Sequence, residues 1–391
     1  MSPSLTEAIP QDLIFSEKKT MVTPIEDIQS EAEPVLEPFS APALVDGVLD
    51  DSHEVDTHTQ TSEKILAIFK PYLLTKSVDA NDRWELGATK FISVIRNFVS
   101  KGQTVQMCLP AFPWKSANKV YKVLGTLPDK AEELALKRLN GICGAIGEVY
   151  KPGAELLIIS DGLVYNDLLT IPDRDVWAYG EGLRALAADS GCTHIRFTRL
   201  KDLVNIPNLP DKLEEITYIA NASNFRRALL NQYGKADLDV TKEIAEKDDT
   251  RLTYCGYTRF LENDLRYIFS VGGNRSGHKY RKDVKYVAKQ MIYRGYAFGV
   301  AVKQNFPDYL RLSIHQSTGE HKISISLLPT KTSYTTPWHC SVALLADGTF
   351  TSGPKGDFED NPKFELVYEK DGRPSYFREM ETGAVVDEDD Y

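Results

Sequence analysis

Amphipathic helices alternate with short apolar runs over the first half of the chain. Residues 82–99 and 128–150 repeat apolar side chains at the spacing of one helix face, and a further helix is predicted to begin at Pro172. Short apolar runs separate these helices and predict strands at TVQMCL, ELLIIS and HIRFT, residues 104–109, 155–160 and 194–198. Strands that alternate with helices in this way are typical of an α/β domain with a parallel sheet.

The pattern changes after Pro210. It becomes helical to about residue 269, and another helix is predicted from about His278 to Tyr293. Four further runs predict strands: AFGVAV, LRLSIHQS, HKISISLL and HCSVALL. The second and third flank Thr318-Gly319-Glu320, so we expect an antiparallel hairpin that extends or caps the parallel sheet.

The formal net charge of −10 is unevenly distributed along the 391 residues. Residues 1–62 hold thirteen acidic residues, only two lysines and six of the twenty prolines, so we expect an acidic, disordered tail. We interpret residues 356–391 as an acidic C-terminal extension that frays from Tyr376 onward. Residues 63–355 remain as the α/β domain. Its mild excess of basic side chains favours an anionic small substrate and is too diffuse for a nucleic-acid groove.

The composition also argues against several classes of protein. No apolar stretch approaches the roughly 18–20 residues of a membrane-spanning helix. The N-terminus lacks the basic segment and apolar run of a secretory signal. The five cysteines are scattered without a CxxC pair, which argues against a disulfide framework or a zinc ribbon. We therefore expect a cytoplasmic protein with no membrane and no nucleic-acid partner.

Polar side chains follow the first two predicted strands, and ligands of open α/β sheets collect at such strand ends. Lys115 and Ser116 follow TVQMCL through a turn with two prolines. The lysine could hold an anion or transfer a proton, or it could be a solvated part of the turn. Asp161 directly follows ELLIIS and precedes Gly162, so it is either a turn residue or a functional carboxylate. All three are candidate site residues.

A glycine-rich segment, GGNRSG at residues 272–277, precedes the helix predicted from His278. Backbone N–H groups at a helix start commonly bind phosphate, which makes Arg275, Ser276 and Lys279 candidate phosphate ligands. The segment matches neither the P-loop pattern nor GxGxxG. Arg294 is a further candidate, because it lies at the other end of the helix, where loops meet.

Two of the seven histidines, His315 and His339, are candidates for proton transfer. His315 shares a predicted strand face with Ser313 and Ser317, and Lys322 lies on the facing strand. This face is either the wall of a site or the solvent face of an edge hairpin. No histidine is followed two positions later by Asp or Glu, and HEXXH is absent, so we expect no metal.

Several long segments, in this order, resemble one protein family. They are LPAFPWKSANKVYKVLGTLPDKAEELAL, GEVYKPGAELLIISDGLVYNDLL, IPDRDVWAYGEGLR, GYTRFLENDL, RSGHKYRKDVKYVAKQMIYRG and LRLSIHQSTGEHKISISLLP. Over roughly residues 65–350 the chain resembles the isocyanide (isonitrile) synthases, also called the pyoverdine/dityrosine biosynthesis family. The resemblance implies a Rossmann-like α/β fold with a mostly parallel sheet, flanking helices and no metal or bound cofactor.

The resemblance also implies an enzyme that converts the α-amino group of an amino acid to an isonitrile, with ribulose 5-phosphate as the carbon source. Tyrosine is the first expected substrate and valine the next. Any later oxidation would come from a separate oxygenase or tailoring enzyme. Two alternatives stay open: an enzyme that forms N-formyl-tyrosine for a dityrosine spore wall, and a non-catalytic sugar-phosphate-binding protein.

For this reaction we assign roles to the candidates. Arg275, Ser276 and Lys279 would bind phosphate, and Lys115 with Ser116 would meet the sugar phosphate or the imine. Asp161 would orient or deprotonate the amine, His315 and His339 would move protons, and Lys322 or Arg294 would face the amino-acid carboxylate. These roles predict that alanine at Lys115 or Arg275 abolishes product formation without unfolding the chain.

Overall fold

The computed structural model describes residues 51–74, 84–160, 162–210, 212–268 and 275–380. The α-helices within these ranges are α1 Asp51–Ala67, α2 Trp84–Val99, α3 Lys130–Val149, α4 Gly162–Tyr165, α5 Asp173–Asp189, α6 Glu215–Tyr233, α7 Val240–Glu246, α8 Asp248–Asp264, α9 Gly277–Asn305 and α10 Lys355–Glu359. None of these helices is both long enough and apolar enough to cross a bilayer.

Five strands form a parallel sheet. They are β1 Val105–Pro110, β2 Ala154–Ser160, β3 Ile195–Arg199, β4 Leu310–Ser313 and β5 Ile323–Ser324. Their order across the sheet is β3-β2-β1-β4-β5, and every neighbouring pair is parallel. The chain first places β2 and β3 on one side of β1 and later places β4 and β5 on its other side. The strand order therefore reverses between β1 and β4. Ligands of open α/β sheets bind at the carboxyl ends of the strands beside such a reversal.

Strand β1 is buried on both faces because helices cover each side of the sheet. Met107 and Leu109 belong to the core that α1, α2 and α3 complete, whereas Cys108 belongs to the core that includes residues of α8 and α9. Side chains alternate between the two faces of a strand, so a strand covered on both faces reads as a continuous apolar run. The predicted α/β class, with a mostly parallel sheet and flanking helices, is confirmed.

A second, mixed sheet follows near the C-terminus. Its strands are β6 Ser341–Leu344, β7 Phe350–Gly353, β8 Phe364–Tyr368 and β9 Pro374–Glu379, in the order β7-β6-β9-β8. β6/β7 and β8/β9 pair antiparallel, whereas β6/β9 pair parallel. The prediction that the chain frays from Tyr376 is therefore wrong as far as Glu379. Phe377 explains why, since it packs its ring 5.4 Å from that of Phe358 in a small core.

Two strand predictions are wrong in detail. AFGVAV lies inside α9, because Ala297, Phe298, Ala301 and Val302 follow the spacing of one helix face, which six residues cannot distinguish from a strand. The segments on either side of Gly319 do not form a hairpin: β4 and β5 pair parallel. Alternation of polar and apolar residues is the same in both directions of pairing, so the pattern could not reveal the direction. The antiparallel pairs lie in the second sheet instead.

Helix α1 begins inside the segment 1–62 that was expected to be a disordered tail. Its C-terminal half contributes Ile65 and Leu66 to the core beside α2 and α3, and Phe69 follows immediately after it. This burial of apolar side chains stabilises the helix although acidic residues dominate its start. Residues 1–50 and 381–391, and with them most of the predicted tail and the end of the predicted extension, lie outside the described residues.

Candidate active site

A cavity of about 540 Å³ lies at the carboxyl ends of β1 and β4, beside the reversal of strand order. The loop after β1 contributes Pro113 and Trp114, and the loop after β4 contributes Ile314, His315 and Gln316. The remaining walls come from α4, α8, α9 and residues 331–339, and several of their side chains are aromatic: Tyr165, Tyr257, Phe260 and Trp338. The cavity has the size and the largely apolar lining typical of small-molecule sites.

Helix α8 forms one wall because its two faces differ. Leu261 is completely buried in the core, whereas Gly256, Tyr257 and Phe260 line the cavity. Gly256 has no side chain, and a Cβ there would come within 4.0 Å of Nδ1 of His315. The helix ends at Asp264, a completely buried carboxylate just beneath the cavity.

His339 lines the cavity and is backed by a buried chain of charges. Its Nδ1 lies 3.4 Å from Oδ2 of Asp264, and Oδ1 of the same carboxylate lies 2.5 Å from Nζ of Lys122. Burial by itself would raise the pKa of Asp264, but the charge of Lys122 and the contact with His339 lower it to about 2. Asp264 is therefore ionised at neutral pH and lies beside Nδ1 of the imidazole, although the 3.4 Å contact does not have hydrogen-bond geometry.

The same surroundings keep His339 neutral. Burial, followed by the charge of Lys122, lowers the pKa of His339 below its ordinary value, although Asp264 opposes the shift. A carboxylate next to Nδ1 favours the tautomer with the proton on that atom, which leaves Nε2 as a proton acceptor. The ring of Phe260 lies 4.6 Å from the imidazole at an angle of 32° and fixes its plane from one side.

His315 is the second imidazole on this cavity. Its backbone N–H donates to Oγ of Ser313 and its carbonyl accepts from Oγ of Ser324, so the main chain at the end of β4 is fixed. Burial and the charge of Lys322 lower the pKa of His315 to about 3. The ring stands edge-on to Tyr257 at 5.2 Å. Two neutral imidazoles therefore line one cavity at neutral pH.

A smaller cavity of about 230 Å³ adjoins the first and shares Tyr165, Tyr257 and His315 with it. Its walls include the basic side chains of Arg311 and Lys322, from β4 and from the residue before β5. The predicted pairing of His315 with Lys322 on one face is thus present in the structure, although the strands run parallel. Lys322 faces this smaller cavity and not the larger one.

Lys115 lines neither cavity among the described residues, and its side chain is completely buried elsewhere. Its Nζ lies 2.8 Å from Oδ2 of Asp129 and 2.7 Å from Oε2 of Glu132, at the start of α3, and donates to the carbonyl of Pro337 at 3.3 Å. Burial alone would lower the pKa of Lys115, but the two carboxylates raise it above its ordinary value. The lysine therefore stays protonated and supports the turn that carries His339.

The other predicted ligands are also engaged in structural contacts. The backbone N–H of Ser116 donates to the carbonyl of Trp338 at 2.9 Å, and Oγ of Ser276 accepts from the N–H of Lys279 at the start of α9. Arg275 pairs with Asp283 at 2.5 Å, and Lys279 is exposed. Neither cavity, as far as the chain is described, includes Arg275, Ser276 or Lys279 in its lining.

Arg294 supports the wall of the site from behind. Its guanidinium donates to both carboxylate oxygens of Asp167, at 2.5 and 3.0 Å, and to the carbonyl of Val164 at 3.0 Å. The next residue, Tyr165, lines both cavities. Asp161 lies outside the described residues, as do residues 272–274 of the glycine-rich segment. The expected convergence of Lys115, Arg275 and His315 on one pocket is therefore not observed.

Sequence reasoning missed Trp114, Lys122, Arg259, Asp264 and Arg311. The first two belong to LPAFPWKSANKVYK, the next two to GYTRFLENDL and the last to LRLSIHQS, all segments that carried the family resemblance. That resemblance was therefore the signal that could have found them. Within the described part of the chain, no three His, Cys, Asp or Glu side chains lie together in a way that could hold a metal ion, and independence of metal stays a prediction.

Comparison with known proteins identifies the family. The family described as pyoverdine/dityrosine biosynthesis protein matches residues 95–367, which is more than half of the chain. The chain belongs to this family. The pyoverdine/dityrosine match covers β1 to β7 and most of β8, and hence every strand that contributes to the two cavities.

Relatives within the pyoverdine/dityrosine family include fungal and bacterial proteins. The isocyanide synthase-NRPS hybrid crmA of Aspergillus fumigatus is 55% identical over 318 residues, which cover 81% of this chain and 20% of crmA. An L-tyrosine isonitrile synthase of Xenorhabdus nematophila is 33% identical over 284 residues, covering 72% of this chain and 80% of that protein. The chain spans only a fifth to a half of the length of three fungal isocyanide synthases that it matches.

The fold agrees with a solved structure of the same family. The crystal structure of PvcA from Pseudomonas aeruginosa superposes with a TM-score of 0.69 at 29% sequence identity. The match covers 82% of this chain and all of the PvcA chain. The parallel sheet and its flanking helices are therefore the fold of the pyoverdine/dityrosine family.

Proposed function

We propose that this chain is an isocyanide synthase that converts the α-amino group of an L-amino acid to an isonitrile, with ribulose 5-phosphate as the carbon donor. Relatives in the family that are named isocyanide or isonitrile synthases support the reaction class. The structural observation that carries the proposal is the pair of neutral imidazoles, His315 and His339, on one cavity.

The first step of this reaction is a set of proton transfers. The α-ammonium group must lose one proton to become a nucleophile, and its nitrogen then attacks the C2 ketone of the sugar phosphate. The two protons that remain on nitrogen leave with the former ketone oxygen as one water, which gives an imine. A neutral imidazole can accept a proton at neutral pH, and the imidazolium that forms can then deliver that proton to the oxygen. We assign the base to Nε2 of His339, because Asp264 lies next to Nδ1.

Subsequent steps release phosphate and the remaining sugar carbons and leave the N≡C group. The proposal uses no metal and no bound cofactor, only ribulose 5-phosphate as co-substrate. Any oxidation of the isonitrile would be carried out by separate oxygenase or tailoring enzymes.

The lining of the larger cavity favours an amino-acid substrate with a large apolar side chain. Aromatic rings from four different elements form its walls, and they would stack on or enclose such a side chain. The indole of Trp114 also lines this cavity. We propose tyrosine as the first substrate and valine as the next.

The test is a product assay with a panel of amino acids. Purified protein is incubated with ribulose 5-phosphate and tyrosine, tryptophan, valine or leucine, and any isonitrile is trapped with a tetrazine and measured by mass spectrometry. We expect an isonitrile from tyrosine, with the largest kcat/KM of the panel. An N-formyl amino acid in place of the isonitrile would indicate the spore-wall alternative, and substrate binding without turnover would indicate a non-catalytic protein.

A variant links the activity to the site. His339→Gln keeps the shape of the turn but removes the proton acceptor, so we expect kcat to fall by about 10²–10⁴-fold. Lys303→Met provides a matched surface control, because Lys303 is exposed on α9 away from both cavities. Full activity of His339→Gln would contradict the assigned base.

A further inference from the structure

The described lining of the larger cavity carries positive charge and no negative charge. Arg259, on α8, and Lys331, in the segment that leads to His339, both line this cavity. Within the ranges that the structure describes, no aspartate or glutamate contributes to the lining. The remaining side chains there are apolar, aromatic or neutral polar groups. This balance favours a ligand that bears a negative charge.

Arg259 is the cation whose charge is available to such a ligand. It is exposed, and no side chain in the described part of the chain forms an ion pair with it. Lys331 differs in this respect. Hydrogen bonds from Thr349, and to a smaller extent the charge of Lys331, lower the pKa of Asp347, an exposed carboxylate that is not part of the lining. Lys331 therefore already faces an acidic side chain.

The position of Arg259 on α8 brings it to the end of the cavity where His339 lies. The next residue, Phe260, packs its ring 4.6 Å from the imidazole of His339. Thr336 closes the same corner, because its carbonyl accepts the backbone N–H of His339 at 3.1 Å. All four residues line the cavity. An anionic group bound by Arg259 would therefore lie near the assigned base.

The chemistry of an amino acid suits this arrangement. Its carboxylate is attached to the same carbon as the amine, so a substrate whose amine meets His339 must place its carboxylate close by. A guanidinium offers two parallel N–H donors that match the planar carboxylate. The charge of an arginine near the amine also favours loss of the ammonium proton, because a nearby cation disfavours the charged form.

We propose that Arg259 binds the α-carboxylate of the amino-acid substrate and thereby holds the α-amine beside Nε2 of His339. This inference rests on the proposed function and names the residue that positions its first substrate. It replaces the carboxylate ligands that the sequence suggested, Lys322 or Arg294. Lys322 faces the smaller cavity, and Asp167 holds the guanidinium of Arg294 with both of its carboxylate oxygens.

The test compares each amino acid with the amine that lacks only its carboxylate. Titration calorimetry without ribulose 5-phosphate measures the binding of L-tyrosine against tyramine and of L-valine against isobutylamine. Arg259→Met should weaken each amino acid that binds by about 10-fold or more, the loss expected for a hydrogen bond between charged groups, and should leave the amines unchanged. Arg259→Lys should recover part of this affinity, because it keeps the charge but not the planar fork.

Two controls accompany these variants. Lys303→Met, on the surface of α9, should bind all four ligands as the wild type does. Circular dichroism and thermal unfolding establish that each variant is folded. In the product assay, Arg259→Met should raise the KM for the amino acid and leave the KM for ribulose 5-phosphate nearly unchanged.

Three results would overturn the proposal. Equal losses for an amino acid and its amine in Arg259→Met would mean that the arginine does not contact the carboxylate. If Arg259→Met weakens ribulose 5-phosphate and inorganic phosphate but not the amino acid, the arginine holds the phosphate group instead. If Lys331→Met loses the preference for the carboxylate while Arg259→Met keeps it, the lysine is the ligand.

Failure of the carboxylate site and failure of the proposed function give different results. A wild-type protein that binds the amino acid through Arg259 but forms no isonitrile retains the site and loses the function. A wild-type protein that forms isonitrile while Arg259→Met keeps an unchanged KM for the amino acid retains the function and loses the site. If the amino acid binds only after ribulose 5-phosphate, the two KM values decide in place of calorimetry.

Discussion

Replacing Lys115 should destabilise the protein. The lysine makes two buried ion pairs, at 2.8 Å to Asp129 and 2.7 Å to Glu132, and all three side chains are at most 5% exposed. Lys115→Met keeps the aliphatic stem but leaves two buried carboxylates without their cation. Removal of one partner from a buried ion pair lowers the free energy of unfolding by about 3–5 kcal/mol. Typical domains are stable by only about 5–15 kcal/mol, so much of the stability would be lost.

The assay is urea unfolding followed by circular dichroism, for four variants: Lys115→Met, Glu132→Gln, the double variant of these two and Lys130→Met. Lys130→Met is the matched control, because the pair of Lys130 with Glu133 is partly exposed and should contribute at most about 1 kcal/mol. Glu132→Gln combined with Lys115→Met should recover part of the loss, since one buried charge is removed with its partner. The double-mutant cycle then gives the coupling between these two residues.

The pH dependence provides a second readout of the same cluster. Burial raises the pKa of Asp129, Lys115 lowers it and Glu132 raises it, with a net increase over the ordinary value. Without Lys115 the pKa rises further. The native state of Lys115→Met then binds a proton that the unfolded state releases, so its stability defect should shrink as the pH falls through the raised pKa of the variant. The defect should level off near pH 7, where Asp129 of the wild type also takes up a proton. A variant that is fully stable and yet inactive would refute this reasoning and support a catalytic Lys115.

Three further predictions concern the site and its walls. Asp264→Asn removes the negative charge beside His339, so kcat should fall by roughly 10²-fold or more. The KM values for the amino acid and for ribulose 5-phosphate should change little. A change in KM alone would contradict a positioning role. Burial and Lys322 lower the pKa of His315 from 6.5 to about 3, so the native state binds fewer protons than the unfolded state between these pH values. Stability should therefore fall as the pH falls through this window. In a series of urea-unfolding measurements, His315→Gln should flatten the dependence of stability on pH. Gly162→Ala should lower stability by about 1–3 kcal/mol in the same unfolding assay, because a Cβ there would lie 2.5 Å from a backbone oxygen of the loop after β1.

The sequence located the first three strands of the parallel sheet. TVQMCL, ELLIIS and HIRFT became β1, β2 and β3 with small shifts of their bounds. A continuous apolar run bounded by glycine or proline is a strong local signal, since both faces of such a strand need cover. The signal weakens at the sheet edge, where β5 has only two residues and its direction depends on the partner.

The candidate site was predicted less well than the fold. Three of the predicted residues do line the two cavities: His315 at the end of β4, Lys322 just before β5 and His339 in the following turn. Their positions relative to the strands follow from local order in the chain. Lys115 was expected to reach a substrate, yet its side chain turns to the start of α3. Sequence pattern gives the position of a lysine relative to a strand but not which carboxylates a distant helix brings within 3 Å of it.

The sequence by itself determined the parallel α/β core and, through a long resemblance, the family. Only the tertiary structure decided which polar groups share a cavity: Trp114, His315 and His339 come from three separate parts of the chain, and Asp264 lies behind His339 from a fourth. It also decided which cations are neutralised, since two buried acids surround Lys115. The physical reason is that apolar periodicity is a local property of the chain, whereas burial and charge pairing depend on contacts between residues far apart in sequence.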